Sequence, residues 1–296
     1  MKIKFWGVRG SIPTPGPNTV RYGGNTTCIE VCGHDGTLIV LDCGTGIRSL
    51  GESMMRKPLP VINIFITHTH WDHIHGFPFF IPAYIPTSTI NIYGPPHFNK
   101  SLGEIMSQQM QYSYFPVRAD ELKSKVKYTD IKEESREVGE LSVRSTLMNH
   151  PVTCYGYRIE EKSGKSMIYT GDHEPYYNFL NAPGDDTDRE ENDLIVSEQN
   201  SRTAMFAAGV DVLVSDAQYL EEEYPPKKGW GHSTIFQAVD LAVAAKVKHL
   251  VLFHHEPTRS DDAMDKLLET AIARGAAIGH PELKITAAKE GEEIVI

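Results

Sequence analysis

The amino-acid sequence predicts an α/β fold in which sheets lie inside and helices lie outside. Two patterns predict it: short β-type runs joined by turns fill the first part of the chain, and amphipathic helical patterns appear later among further apolar runs. No internal repeat, low-complexity stretch or linker-like segment divides the 296 residues. We therefore expect one domain that spans residues 1–296.

The predicted strands are short apolar or β-branched runs bounded by turn residues. Residues 26–32 and 37–41 form two such runs, separated by the turn-like segment 33–36. Residues 11–17 are expected to form a loop, because three prolines and a glycine sustain neither a sheet ladder nor a helix. Five later runs are also predicted as strands: 61–66, 141–147, 167–169, 212–214 and 250–253.

Helices are predicted where apolar residues recur at helical spacing, which they do at 98–112, 201–208, 235–245 and 262–274. Ser233 and Thr234 are the expected caps of the third helix, and Gly275 is expected to end the fourth. The acidic stretch 181–193 is poor in apolar residues. It is therefore expected to be a solvated loop rather than a calcium site.

Composition limits the classes of function. The net charge of −10, from 29 basic and 39 acidic residues, works against tight non-specific binding to nucleic-acid backbones. The sequence begins without a signal-like apolar run and has no stretch of about 18 apolar residues, so we expect a cytoplasmic protein without a membrane span. Its four cysteines form no CxxC pair and are expected to be reduced core thiols.

Histidine and aspartate residues follow the ends of the predicted strands. The run 61–66 leads into four of them within six residues, and four other runs lead to one each. The set is His68, His70, Asp72, His73, His150, Asp172, Asp216 and His254. If the strands lie side by side, their ends gather these side chains at one place. Imidazole and carboxylate groups are good ligands for zinc and similar metals, and so many ionisable groups are seldom buried without an ion. The pattern favours a metal site over a solvated polar loop.

The segment 68–73, an HxHxDH motif, resembles the metal-binding motif of the metallo-β-lactamase superfamily of hydrolases. The resemblance extends over essentially the whole chain and implies a four-layer αββα sandwich with a two-metal site at one edge. It implies that one metal is held by His68, His70 and His150, that the other is held by Asp72, His73 and His254, and that Asp172 bridges the two. Zinc is the expected metal, with manganese or iron as alternatives. His254 is preferred to its neighbour His255 because it follows the strand directly.

Two further segments, 214–219 and 229–234, resemble the phosphodiesterase branch of this superfamily, which includes transfer-RNA 3′-processing enzymes and cyclic phosphodiesterases. In that branch a histidine before Ser-Thr, oriented by an acidic residue, helps to protonate the leaving oxygen. Here the pair is His232 and Asp216, and Asp72 is expected to align the attacking hydroxide. The resemblance thus implies a dinuclear-metal phosphodiesterase that cleaves a small or nucleotide-type phosphodiester by metal-hydroxide attack.

Other substrates remain open at this point. A thioester or lactone hydrolase of the same superfamily is one alternative, and a transfer-RNA-processing nuclease is another. The latter enzymes carry an RNA-gripping arm between the third histidine and the bridging aspartate. Here that interval, from His150 to Asp172, is only 172 − 150 = 22 positions and fits a tight hairpin, so a large RNA is not expected as substrate. The segments 95–130 and 175–200 are expected to be substrate-selecting loops, and a homodimer is left open.

Three residues outside the metal set are weaker candidates for contact with the substrate. Arg9 and Asn25 lie in N-terminal motifs that resemble those of a bacterial and archaeal subgroup near these phosphodiesterases, and His255 adjoins a proposed ligand.

Two departures from the superfamily's other branches argue against other activities. Asp172 stands where the commonest lactamases carry cysteine, and His70 stands where flavin-linked di-iron members carry glutamate. Antibiotic hydrolysis and a redox role are therefore not expected. A non-catalytic binding protein would lack ligands, and none is missing.

Overall fold

The computed structural model describes residues 1–55, 61–178 and 188–296, and in these residues two seven-stranded sheets face each other. The strands of the first sheet are β1 (Lys2–Gly7), β2 (Cys28–Cys32), β3 (Leu38–Leu41), β4 (Val61–Phe65), β5 (Thr89–Gly94), β6 (Lys125–Asp130) and β14 (Glu293–Val295). Those of the second are β7 (Ser135–Val138), β8 (Leu141–Met148), β9 (Cys154–Glu161), β10 (Ser166–Tyr169), β11 (Val212–Asp216), β12 (His249–Phe253) and β13 (Lys284–Ala287).

The strand order places several strand ends at one edge of the second sheet. That order is β13-β12-β11-β10-β9-β8-β7, and β10 to β13 are parallel. Because β9 is antiparallel to both β8 and β10, β8 runs in the same direction as β10. The carboxyl ends of β8, β10, β11 and β12 therefore meet at one edge. In the first sheet, of order β14-β1-β2-β3-β4-β5-β6, strands β3 to β6 are parallel.

Helices cover the outer faces of the two sheets. The helices are α1 (Gly46–Met54), α3 (Leu102–Gln108), α5 (Ile235–Ala244) and α6 (Asp261–Ala277), which provide this cover, and α2 (Trp71–Ile74) and α4 (Arg189–Phe206). Apolar side chains of α1 and α3 pack on the first sheet, and those of α5 and α6 pack on the second. A third apolar cluster fills the space between the sheets, where Phe5 meets Phe253 at a ring separation of 6.0 Å. The four layers confirm the predicted αββα sandwich.

The predicted helices differ from the observed ones where apolar periodicity is weak. The helix expected at 98–112 is confined to α3, which begins at a Ser101–Glu104 capping box. The helix expected at 201–208 is the end of α4, which starts at Arg189 inside the stretch expected to be a loop. Since Thr203 is its only buried residue among those described, α4 has no apolar stripe by which the sequence could reveal it. Residues 181–187 of that stretch lie outside the described ranges.

Two other expectations concern connections. The region 95–130, expected to be a loop, contains α3 and β6, so it completes the edge of the first sheet. The tight hairpin expected between His150 and Asp172 is confirmed as β9 and β10, which pair antiparallel across residues 162–165.

The last helix extends beyond its expected end, because Gly275 lies inside α6 rather than after it. None of the described helices is long and apolar enough to cross a membrane. The expectation of one domain stays a prediction.

A buried carboxylate joins the two sheets at the end opposite the carboxyl ends of β10 to β12. Glu161, 6% exposed at the end of β9, accepts hydrogen bonds from the backbone and ring nitrogens of His34 at 2.9 and 2.6 Å. Ser163 donates a third bond at 2.7 Å, and the Met1 ammonium lies 3.6 Å away. Burial raises the pKa of Glu161, but these bonds outweigh it and lower the pKa from 4.5 to about 2.

We expect Glu161→Gln to lower the free energy of unfolding by about 1–3 kcal/mol at pH 7, because charge-assisted bonds to the first sheet are lost. A carboxylate with a depressed pKa stabilises the fold above its unfolded pKa of 4.5 and loses that effect as the pH falls towards 2. The difference between wild type and variant should therefore shrink below pH 4.5 in urea titrations. Glu160→Gln, which alters the neighbouring half-buried pair with Arg158, is the matched control. A difference that did not change with pH would contradict this assignment.

Candidate metal centre

The loop after β4 supplies four of the predicted ligands. The chain leaves β4 at Phe65 and reaches His68, which is fully buried. His70 is the N-terminal flanking residue of α2, so the first turn of this helix carries Asp72 and His73 on adjacent positions. Both of these side chains are buried. The helix thus aims a carboxylate and an imidazole from the first sheet towards the second.

The second sheet supplies the other predicted residues from its aligned carboxyl ends. His150 follows β8, Asp172 follows β10 and His254 follows β12, while Asp216 is the last residue of β11. His254 has a φ of 60°, a left-handed conformation that is rare outside glycine and directs the ring away from the strand path. The centre is therefore built by both sheets together.

One group of side chains lies around the Oδ2 atom of Asp172. It comprises His68, His70, His150 and Asp172, one possible ligand atom of each lying within 4.8 Å of the others. His150 Nε2 is 3.1 Å from His70 Nδ1, and His68 Nε2 is 3.4 Å from Asp172 Oδ2. These are three imidazoles and one carboxylate, the donor set that tetrahedral zinc accepts.

A second group lies around the other oxygen of the same aspartate. It comprises Asp72, His73, Asp172 and His254, again with ligand atoms within 4.8 Å of one another. Asp172 Oδ1 is 3.2 Å from both His73 Nε2 and His254 Nε2, and His254 Nε2 is 3.1 Å from Asp72 Oδ2. Asp172 is thus shared by both groups, one oxygen towards each.

Buried atoms without partners show that these groups fit a cation. Among the described residues, the fully buried atoms His68 Nε2, His73 Nε2 and Asp172 Oδ1 make no hydrogen bond, and all three face the centre. Leaving such atoms unpaired costs on the order of 1–3 kcal/mol each. A divalent cation would satisfy both the imidazole nitrogens and the carboxylate oxygen, so the residues present fit a metal.

Burial and charge set the protonation of the imidazoles. Burial outweighs the nearby Asp172 and lowers the pKa of His150 to about 4, so its ring is neutral and able to bind a metal at pH 7. Burial acts against the charged form of His73 as well, yet three carboxylates, Asp172, Asp72 and Asp42, raise the pKa of that ring well above its usual value. The buried carboxylates therefore demand positive charge, which a bound cation would supply.

The predicted acid and its partner lie beside both groups. His232 Nδ1 is 2.8 Å from Asp216 Oδ2 and 3.9 Å from Asp172 Oδ2, and the His232 ring stacks on that of His254 at 4.9 Å. Burial lowers the pKa of His232, but the carboxylates of Asp216 and Asp172 outweigh it and raise the pKa to about 9. The two carboxylates thus favour the protonated form of the His232 ring, next to the candidate metal centre.

Comparison with known proteins gives the same fold and family. Residues 37–182 match the family described as the beta-lactamase superfamily domain. The metallo-β-lactamase-fold protein YhfI of Bacillus subtilis superposes with a TM-score of 0.68 at 18% identity, over 99% of both chains. Residues 37–182 thus resemble this superfamily in sequence, and the whole chain has the metallo-β-lactamase fold. This agrees with the resemblance carried by residues 68–73.

Other relatives in the superfamily are named for phosphoryl chemistry or hold zinc. Ribonuclease Z of Thermoplasma acidophilum is 26% identical over 92% of this chain and 91% of its own, and that of Enterococcus faecalis is 24% identical over 86% of each. A diphosphatase from the PhnP family superposes with a TM-score of 0.65 at 16% identity, over 100% of this chain and 97% of its own. The Zn²⁺-bound PqqB of Methylobacterium extorquens gives 0.64 at 17% over the full length of both.

Sequence reasoning missed Asp42, the carboxylate behind His73. Asp42 is fully buried, and its Oδ2 accepts from His73 Nδ1 at 2.7 Å and from the Tyr169 hydroxyl at 2.9 Å. Thr67 donates to it from backbone and side chain at 2.7 and 3.0 Å. Because a carboxylate only accepts, the His73 proton is fixed on Nδ1 and Nε2 faces the centre. The signal was present, since Asp42 directly follows the predicted strand 37–41.

Other outer contacts orient the remaining histidines. The side-chain oxygen of Gln218 accepts from His254 Nδ1 at 2.9 Å, and the carbonyl of Gly231 accepts from His150 Nδ1 at 3.0 Å. Both leave Nε2 turned towards Asp172. These residues lie in segments that resemble the phosphodiesterase branch, but nothing in the sequence distinguished them as supports.

Three weaker candidates lie away from the centre. The Arg9 side chain is fully buried and donates to the carbonyls of Gly23, Glu256 and Arg259, which ties the N-terminal segment to the loop after β12; its Nη2 atom has no partner among the described residues. Asn25 donates to Glu290, and His255 Nε2 bonds the carbonyl of Ala288. The expectation that they contact substrate gains no support, because the hydrogen bonds of all three side chains join adjoining segments of the chain.

We expect Asp42→Asn to weaken zinc binding by about 10- to 100-fold, because an amide nitrogen facing His73 cannot accept its proton. Competition with a chromophoric chelator measures this independently of any activity. Asp35→Asn, at the opposite end of β3 in an exposed turn with Thr37, is the matched control and should bind zinc as wild type does. Equal zinc affinity in both variants would show that Asp42 does not support the centre.

Proposed function

We propose that this protein is a member of the metallo-β-lactamase superfamily and a two-metal phosphodiesterase that acts on a small or nucleotide-type phosphodiester. The observation that carries the proposal is the geometry of the His232–Asp216 pair: His232 Nδ1 lies 2.8 Å from Asp216 Oδ2 and 3.9 Å from the carboxylate of Asp172, which both metal groups share. A metal centre alone is common to many kinds of hydrolase. A general acid beside the centre is needed when the leaving group would otherwise depart as a strong base, as an alkoxide does. The relatives named Ribonuclease Z and the diphosphatase support phosphoryl substrates.

We assign the two metal sites by their donor sets. The first metal would be held by His68, His70 and His150, the second by Asp72, His73 and His254, and Asp172 would bridge them. Zinc suits these ligands and is present in the fold neighbour PqqB, while manganese and iron accept the same donors. When bound, such ions lower the pKa of a coordinated water and polarise the phosphoryl oxygens.

The chain's own residues orient the reactants and move the proton. The backbone nitrogen of Ser11 donates to Asp72 Oδ2 at 2.7 Å and so fixes the carboxylate that would align the attacking water. His232 holds a proton because of its raised pKa, and Asp216 keeps Nδ1 engaged so that Nε2 is the donor to the leaving oxygen. General acid catalysis of this kind typically contributes about 10²–10⁴-fold.

The size of the substrate is the finer part of the proposal. The short β9–β10 hairpin between His150 and Asp172 and the net charge of −10 favour a small substrate. The expectation that a large RNA is not bound gains no support from the relatives, however, because those named Ribonuclease Z cover most of this chain. Transfer-RNA processing is therefore the second candidate function.

A substrate panel tests the function. The zinc-loaded protein is expected to hydrolyse bis-p-nitrophenyl phosphate and to lose this activity after treatment with EDTA, with recovery on adding zinc. Cleavage of a precursor transfer RNA at its 3′ trailer, at a kcat/KM above that for linear dinucleotides, would favour the second candidate. Faster turnover of thioesters or lactones than of any phosphodiester would overturn the proposal.

We expect His232→Ala to retain its metals but to lose about 10²–10⁴-fold in kcat on alkyl phosphodiesters, because their leaving alkoxide needs the proton. Aryl esters such as p-nitrophenyl diesters leave without it and should lose far less. Elemental analysis and paired kinetics measure both effects. The matched control is His280→Ala, which removes an exposed histidine paired with Glu282. An equal loss on both substrate types would remove His232 from the acid role.

A further inference from the structure

A cavity of about 200 Å³ adjoins the metal centre at His150. Three segments line it: residues 149–151 after β8, the Glu174 to Tyr177 stretch after Asp172, and the glycines that precede His232. Each segment also carries a residue of the centre or adjoins one, so a group in this cavity would lie next to the reacting atoms. A larger cavity of about 880 Å³ lies beside α3 and contains none of these residues.

Glu174 builds one wall by holding the backbone of the glycine segment. Its carboxylate, 2% exposed, accepts from the Tyr224 hydroxyl at 2.5 Å and from the backbone nitrogens of Gly229 and Gly231, at 2.9 and 3.0 Å respectively. Gly231 has a φ of 88°, and a side chain there would meet His150 Nδ1 at 2.1 Å. The wall is therefore close-fitting backbone, and the buried negative charge behind it disfavours an anionic guest.

Two tyrosines, Tyr176 and Tyr177, also line the cavity. The backbone of Tyr176 is fixed by Asn200 of α4, which donates to its carbonyl and accepts from its nitrogen, both at 2.9 Å. The Lys228 ammonium lies 4.0 Å from the centre of the Tyr177 ring. Both residues are half-buried, and these contacts hold the Tyr176 backbone and the Tyr177 ring before any ligand arrives, which lowers the entropy cost of binding.

Asn149 adds hydrogen-bonding capacity at the third side. Its side-chain amide makes no hydrogen bond to any residue that the structure describes, although its backbone is engaged with His173 and Glu174. An amide offers one acceptor and two donor hydrogens, a combination that matches the edge of a nucleobase. Aromatic walls and a polar edge together suit a flat, uncharged ring.

We propose that this cavity is the subsite for a planar ring carried by one alcohol group of the phosphodiester, and that the ring is a nucleobase. This rests on the proposed function, because it takes the phosphate to lie at the metals. Pockets for drug-sized ligands measure roughly 300–1,000 Å³, so about 200 Å³ suits one ring system rather than a whole nucleotide. Stacking on aromatic side chains typically contributes about 1–3 kcal/mol per base.

Calorimetric titration of the zinc-loaded protein with three monoesters tests the subsite without relying on turnover. Thymidine 5′-monophosphate, phenyl phosphate and methyl phosphate share the phosphate and differ in the group presented to the cavity. The first two should bind more tightly than the third. Tyr177→Leu should weaken thymidine 5′-monophosphate and phenyl phosphate about 5- to 100-fold relative to methyl phosphate. Tyr112→Leu, an exposed tyrosine beside the larger cavity, is the control and should preserve the ratios.

Asn149→Ala distinguishes a subsite for a nucleobase from a subsite for any aromatic ring, and it leaves the tyrosines of the cavity in place. It should weaken the nucleotide relative to phenyl phosphate if a base edge is read, and equal ratios would instead identify a general aromatic subsite. Equal binding of all three monoesters to the wild type, or an equal loss of all three in Tyr177→Leu, would overturn the proposal. Failure of the zinc-loaded protein to cleave any diester, with the ring preference intact, would instead count against the proposed function.

Discussion

The centre depends on a single buried carboxylate that serves two groups of imidazoles. Asp172 presents one oxygen to His68 and the other to His73 and His254. A buried negative charge of this kind is stable only when positive charge lies close on both sides. The pKa values of the surrounding histidines depend on how strongly this charge opposes burial. Burial outweighs it at His150, whose pKa is lowered, whereas at His232 the carboxylates of Asp216 and Asp172 together outweigh burial and raise the pKa.

Residues outside the two metal groups fix the orientation of the histidine rings. Asp42, Gln218 and the carbonyl of Gly231 each engage the Nδ1 atom of a different histidine, so the opposite nitrogen is directed inwards. Both Asp42 and His254 occupy left-handed backbone conformations, with φ of 59° and 60°, immediately after a strand. Such conformations are costly for residues with a side chain, and the hydrogen bonds at both positions hold them in place.

Much of the centre was predictable because the fold uses one rule repeatedly. Polar residues that follow apolar runs gathered at one edge, since β8, β10, β11 and β12 all run in the same direction. The rule also fitted Asp42, which was overlooked. By contrast, Glu174 follows no strand directly, and two of its partners are backbone nitrogens that no sequence pattern marks. The long helix α4 escaped detection because it buries almost nothing, which leaves no periodic apolar stripe to recognise.

The candidate metal centre lies at the interface between the two sheets and takes residues from both. The segment 68–73 extends from the first sheet, whereas His150, Asp172 and His254 belong to the second, and the Tyr169 hydroxyl of the second sheet donates to Asp42 of the first. A metal ion bound by ligands from both sheets would cross-link the two halves of the sandwich. Its affinity and the cohesion of the two sheets would then be thermodynamically linked, so that whatever loosens one weakens the other.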